Sequence, residues 1–95
     1  MNEIIVHVTY HCLPGKAEPF VRLLKSRGLQ ARVRAEDGCL QYDYHLSCEA
    51  PDTVVLLEKW RDAAALDVHS RQPHMAEIAA CKEGLVTRTE IERYE

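Results

Sequence analysis

Several residue types are scarce in this chain of 95 residues. Asparagine occurs once, as Asn2, tryptophan once, as Trp60, and phenylalanine once, as Phe20. Four cysteines, Cys12, Cys39, Cys48 and Cys81, are widely spaced with no C-x-x-C pair. That spacing argues against both a disulfide framework and a cysteine-based metal site, and it predicts reduced thiols that pack as small apolar groups. No apolar run approaches the roughly 20 residues of a membrane span. The opening "MNEIIVHV" holds an apolar run too short for a secretory core, so a cytoplasmic location is expected. Charge of one sign is also missing: the formal balance is −3, with acids and bases interspersed. The one cationic cluster, "VRLLKSRGLQARVR", is expected to spread Arg22, Lys25, Arg27, Arg32 and Arg34 over the solvent side of a helix, facing Glu18 and Glu36. No basic stripe with aromatics results, and nucleic acid is not an expected partner.

A chain this short is one domain, 1–95, and buries only about 60–65% of its unfolded surface, which leaves its core marginal. Without disulfides or a metal, a second copy of the chain is the expected source of further burial.

The patterning predicts a definite order of elements. Residues 3–11, "EIIVHVTYH", alternate with period two and read as a strand. "LPGK" is a turn. Apolar positions recur at helical spacing over 16–35, with Gly28 weakening or dividing that helix. "CLQYDYHLS" and "TVVLLEKW" are strands joined by the turn "EAPD". Residues 54–57 are apolar on both faces, so both faces of the sheet should be covered. Asp62 is a good N-cap for "AAALDVHS", and Pro73 suits the first turn of "PHMAEIAACKE", which Gly84 ends. "LVTRTEIERYE" is the last strand. The order β-α-β-β-α-β is that of an α+β ferredoxin-like unit, with helices on one sheet face and a second copy on the other.

The residues that bear chemistry gather between 57 and 78. His69 and His74 are five apart across a proline, whereas metal-binding pairs on a helix want a spacing of four. No third donor lies nearby in sequence, so no metal is expected. Glu58 shares a strand face with Val54, Leu56 and Trp60. A carboxylate there is costly unless paired, with Arg88 or a histidine as partner, or else it sits at a strand end in water. Trp60 is either core or the wall of a pocket. Tyr42 and Tyr44 share one face of their strand, Asp43 and His45 the other. His69, at a helix end, is either a cap for loose backbone groups or an acid–base group.

"EDGCLQYDYH" and "PDTVVLLEKWRDAAALDVHSRQPHM" resemble the antibiotic biosynthesis monooxygenase superfamily, with its E-x-G-C-x-x-Y strand and its E-x-W…L-x-x-H-x-x-x-P-H stretch. Within it the chain is similar to small bacterial quinol monooxygenases and to the autoinducer-2 phosphate-processing isomerase. The resemblance implies a homodimeric α/β barrel with a pocket between sheet and helices in each subunit. It also implies oxidation of aromatic polyketides or quinols by oxygen, without metal, flavin or other cofactor. Trp60 would then be pocket wall, His69 and His74 would flank the mouth, and Glu58 would match the family's strand glutamate. Polyketide-oxidising and haem-degrading members use a pocket asparagine, which this chain lacks, so a histidine or tyrosine must take the orienting role. His69 is the leading base, His45 and Tyr44 are candidates for holding an oxyanion, and Trp60, Glu58, His74, Tyr42 and His7 are pocket candidates. The expected activity is cofactor-independent monooxygenation of a small phenolic or quinol-like ligand. The alternatives are isomerisation of a small sugar-like metabolite, or non-catalytic ligand binding by the dimer.

Overall fold

The computed structural model describes residues 2–95. Eight elements follow one another: β1 (Ile4–Cys12), α1 (Ala17–Ser26), α2 (Leu29–Arg34), β2 (Cys39–Leu46), β3 (Thr53–Trp60), α3 (Ala63–Ser70), α4 (His74–Cys81) and β4 (Val86–Tyr94). The strands form one antiparallel sheet in the order β2-β3-β1-β4. This is the ferredoxin-like arrangement, α+β with the helices on one side of the sheet.

Residue parity decides which side chains meet the helices. In β1, Ile4, Val6, Val8 and Tyr10 are buried while Ile5, His7 and Thr9 are only partly so. Register carries the same face across the sheet, since Ile4 pairs with Trp60, Val6 with Glu58 and Val8 with Leu56. On β2, Tyr42 lies opposite Glu58 and Tyr44 opposite Leu56. Phe20, Leu24, Leu29 and Val33 from α1 and α2 complete this core with no exposure at all. At about 1.5–3 kcal/mol for each fully buried large side chain, these four hold the first helix pair to the sheet. Phe20 also meets the Tyr10 ring edge-on, with centroids 5.1 Å apart.

The first helical region is divided where the sequence indicated. Gly28 adopts φ +70° and starts α2, a left-handed conformation that costs a side-chain-bearing residue energy. Asp62 caps α3, its carboxylate accepting from the Ala65 amide at 2.8 Å. All four cysteines are free thiols. No helix among the described residues is long and apolar enough to cross a membrane.

Candidate functional site

The site begins at a tight turn. After α2 the chain bends through Glu36, Asp37 and Gly38 into β2, with the Cys39 amide donating to the Glu36 carbonyl at 3.1 Å. Gly38 holds φ +89°, and a Cβ placed on it would come within 2.5 Å of the Ala65 Cβ. Only glycine lets α3 approach this closely. The turn is also tied to the β3–α3 junction: the Arg61 amide donates to the Gly38 carbonyl at 2.8 Å, and its guanidinium reaches the Asp37 carboxylate at 3.1 Å. The effect is to place Glu36 beneath the end of α3.

There Glu36 meets both histidines of the helix break. His69 Nδ1 and His74 Nε2 each lie 2.8 Å from the same oxygen, Glu36 Oε2. His69 is the penultimate residue of α3 and His74 the first of α4, and the turn at Pro73 directs both rings at one carboxylate. The three side chains are almost wholly buried, where charge-assisted hydrogen bonds are strongest. These ring nitrogens do not cap backbone groups, so the capping alternative is replaced by a side-chain network. The donor atoms also lie within 4.8 Å of one another, a set of the kind that can hold a metal ion. At 2.8 Å the contacts are those of hydrogen bonds.

A carboxylate oxygen that accepts from both rings fixes a proton on His69 Nδ1 and on His74 Nε2. In neutral His69 the lone pair is then on Nε2, which lies 3.9 Å from Glu58 Oε1. The indole of Trp60 donates to that same Glu58 oxygen at 2.9 Å, and the Trp60 ring packs on His69 with centroids 4.5 Å apart. Burial pushes the Glu58 carboxyl above its ordinary range; the Trp60 hydrogen bond and His69 pull the other way, and the charge of Glu36 adds to the rise.

The His69–Glu58 contact opens into a cleft between the sheet and the α3–α4 pair. One cavity of about 260 Å³ is lined by Val6, Glu58, Leu66, His69, Met75 and Ile91, with Arg93 at its rim. A second, of about 190 Å³, shares Glu58, Met75 and Ile91 with it and runs on past Tyr42, Tyr10 and Lys82. The walls are apolar and the polar groups few, the ordinary character of a small-molecule site.

The expected residues therefore separate. His69, Glu58 and Tyr42 line the cleft. Trp60 is not pocket wall: it is completely buried and backs the His69 ring. His74 faces an outer groove of about 480 Å³ that it shares with Glu36, Arg32 and Arg61. Tyr44 is on the helix side but meets Tyr42 edge-on, with ring centroids 5.8 Å apart. Burial raises its phenol to about 12, so it stays protonated at neutral pH. His45 and His7 are on the opposite side of the sheet, by the parity that places Tyr44 and Val6 on the helix side. His7 lies beside Glu92 there. Arg88 is no partner for Glu58, because it lies near His11 and Glu90. Glu36 bonds to the two histidines and not to the arginines of the first helices; Arg32 is engaged with Glu77. Glu36 was missed as a functional residue, although it opens the quoted E-x-G-C motif.

Fold and cleft together define a ferredoxin-like α+β protein with a histidine–carboxylate pocket under its second helix pair. The chain belongs to the antibiotic biosynthesis monooxygenase family, whose model matches residues 3–80. It is 35% identical over 94 residues to the Bacillus subtilis protein named "Putative monooxygenase YcnE", covering 93% of this chain and 97% of that one. It is 31% identical over 67 residues to the Escherichia coli "Probable quinol monooxygenase YgiN", a match covering 62% of this chain and 64% of the relative. Among solved structures, a conserved protein from Methanosarcina mazei superposes with a TM-score of 0.87 at 34% identity, covering 100% of this chain and 93% of that one. The protein PA3566 from Pseudomonas aeruginosa gives 0.84, also at 34% identity, covering 99% and 93%. Family and relatives support a monooxygenase-like function in general terms.

Proposed function

We infer that this protein is a cofactor-independent monooxygenase that oxidises a small phenolic or quinol-like substrate with molecular oxygen. One observation carries the reading: Glu36 occupies Nδ1 of His69, so the basic Nε2 is left on the cleft side beside Glu58. A carboxylate behind an imidazole fixes its tautomer and stabilises the imidazolium that forms when the ring takes a proton. The apolar walls hold the ring of the substrate and raise the energy of its solvation, which favours reaction of a bound phenolate over its return to water.

For a phenol with a free para position the chemistry balances without a further reductant. His69 Nε2 takes the hydroxyl proton. The electron-rich phenolate passes one electron to oxygen, and the resulting radical pair combines to form a carbon–oxygen bond at the para carbon. Return of the proton from His69 gives a hydroperoxide. Loss of the para C–H proton and cleavage of the O–O bond release water and leave a quinone carbonyl. One oxygen atom enters the product, the other becomes water, and the substrate supplies all four electrons.

The protein acts in this reading as a homodimer. Ile5, Val55 and Leu57 are only partly buried on the open side of the sheet, and a second sheet packed there would cover them. Light scattering should give a dimer at micromolar concentration, and Leu57→Glu a monomer.

Oxygen uptake with a panel of phenols and 1-naphthols unsubstituted at the para position tests the activity itself. One oxygen consumed per quinone, one labelled atom retained from ¹⁸O₂, and a rate reduced about 10²–10⁴-fold in His69→Ala are expected. Equal turnover without oxygen would instead make the protein an isomerase, and unchanged rates in His69→Ala would remove that residue from the mechanism.

A further inference from the structure

The cleft is not electrically symmetrical along its length. At the His69 end it holds the Glu58 carboxyl, with Glu36 immediately behind the imidazole. Along the sheet floor, the Val6–Arg93 row and the Tyr10–Thr89 row are four residues apart, a distance of about 13 Å at 3.2–3.4 Å per residue. At the far row stand Lys82, from the end of α4, and Thr89, from β4, in the same cavity as Tyr10 and Tyr42. Thr89 Oγ1 is buried and makes no hydrogen bond within the protein. A buried hydroxyl without a partner is costly, and here it lies at the wall of a cavity. Lys82 Nζ lies over the Tyr10 ring, 5.6 Å from its centroid, and no carboxylate lies within 4.0 Å of it among the described residues. The aromatic face holds the ammonium towards the cavity without neutralising it.

We propose that the far end of the cleft is an anion subsite, in which Lys82 and Thr89 hold a carboxylate borne by the substrate remote from its reacting hydroxyl. This inference rests on the phenol-oxidising reading for which end of the substrate reacts. The ammonium supplies a charge-assisted hydrogen bond and Thr89 a neutral one. The Glu36 carboxylate behind His69 repels a second carboxylate at that end, so the ligand enters in one orientation, with hydroxyl to His69 and carboxylate to Lys82. Arg93, the cation at the opposite rim, is exposed and already meets Glu95 at 3.2 Å, which leaves it the weaker competitor. The span between the rows matches two fused rings, or one ring with a short side chain, better than a single ring.

Calorimetry with 6-hydroxy-2-naphthoate, against 6-hydroxy-2-naphthamide as the uncharged match, tests the subsite by binding alone. Wild-type protein should bind the carboxylate about tenfold more tightly than the amide, and the preference should shrink as salt is raised. Lys82→Gln should abolish the preference and Thr89→Val should reduce it. His69→Gln should leave it intact even though turnover is lost. Binding carries the readout, so failure of the oxygen chemistry would not be mistaken for failure of the subsite. Equal affinity of the two ligands for wild-type protein would overturn the proposal. So would a preference that survives Lys82→Gln, or one abolished by Arg93→Gln.

Discussion

On the helix side of the sheet, His69 meets Glu36 at 2.8 Å with side-chain exposures of 5% and 8%. On the open side, His7 meets Glu92 at 3.6 Å with exposures of 37% and 63%. Both faces hold histidines beside carboxylates, yet only one arrangement has the features of a chemical site. On the open side the pair is longer, half exposed in the single subunit and shared with no second ring, and a contact of that kind gains about 1 kcal/mol at most. On the helix side the carboxylate is withdrawn from water and committed to two rings, and a third ring system, Trp60, packs behind. Residue type alone does not separate the two faces; burial and the sharing of one acceptor do.

The comparison breaks most sharply at Glu36. Glu36→Ala should lower kcat about 10²–10⁴-fold while KM changes little, because the residue acts through His69 and stands behind the ring from the cleft. Glu36→Asp should restore part of the rate. An equal fall with alanine at Glu92, on the open face, would dissolve the distinction. Next in size is the close approach that assembles the buried side. Gly38→Val puts a branched side chain at φ +89° and into Ala65, and should destabilise the fold by about 2–4 kcal/mol in urea denaturation. Gly28→Ala has open space around the added carbon and only backbone cost, so it should lose roughly half as much.

A pH titration sharpens the comparison further. Burial raises the folded-state affinity of Glu58 for its proton, so the folded protein binds more protons than the unfolded chain as pH climbs past the ordinary carboxylate range. Stability must therefore fall with rising pH between the unfolded and folded values of this group. Glu58→Gln removes that dependence and keeps an acceptor for the Trp60 indole. Its stability relative to wild type should improve from pH 4 to pH 8, as read by denaturant midpoints. The smallest effect on the chemistry belongs to the open face: His45→Ala should change kcat by no more than about 0.5 kcal/mol in activation free energy.

Much of the architecture was legible because local rules agreed with one another. Alternation in β1, the Asp62 cap, the proline at the start of α4 and the glycine between α1 and α2 each specify one backbone state, and the fold satisfies all of them. The site was less legible for a physical reason: its central acceptor is 33 residues from one histidine and 38 from the other. No periodicity spans that distance. Of the two oxyanion candidates, Tyr44 and His45, only one can face the helices, because successive strand residues point to opposite sides of a sheet. The costly glutamate at 58 is marked by its apolar neighbours, and of the partners expected for it the histidine is met by His69 at 3.9 Å, while Trp60, two residues along the same strand, adds a hydrogen bond that the pattern did not signal.

The shared Glu36 oxygen has one more consequence. Two rings that donate to a single oxygen share one acceptor, so a change in the bond to either ring alters the bond to the other. His69 touches the inner cleft, while His74 borders the outer groove. An event on one ring must tug on the other through Glu36, and the ring-nitrogen resonances of His74 become a remote gauge of whatever occupies the cleft, read from outside the pocket without touching it.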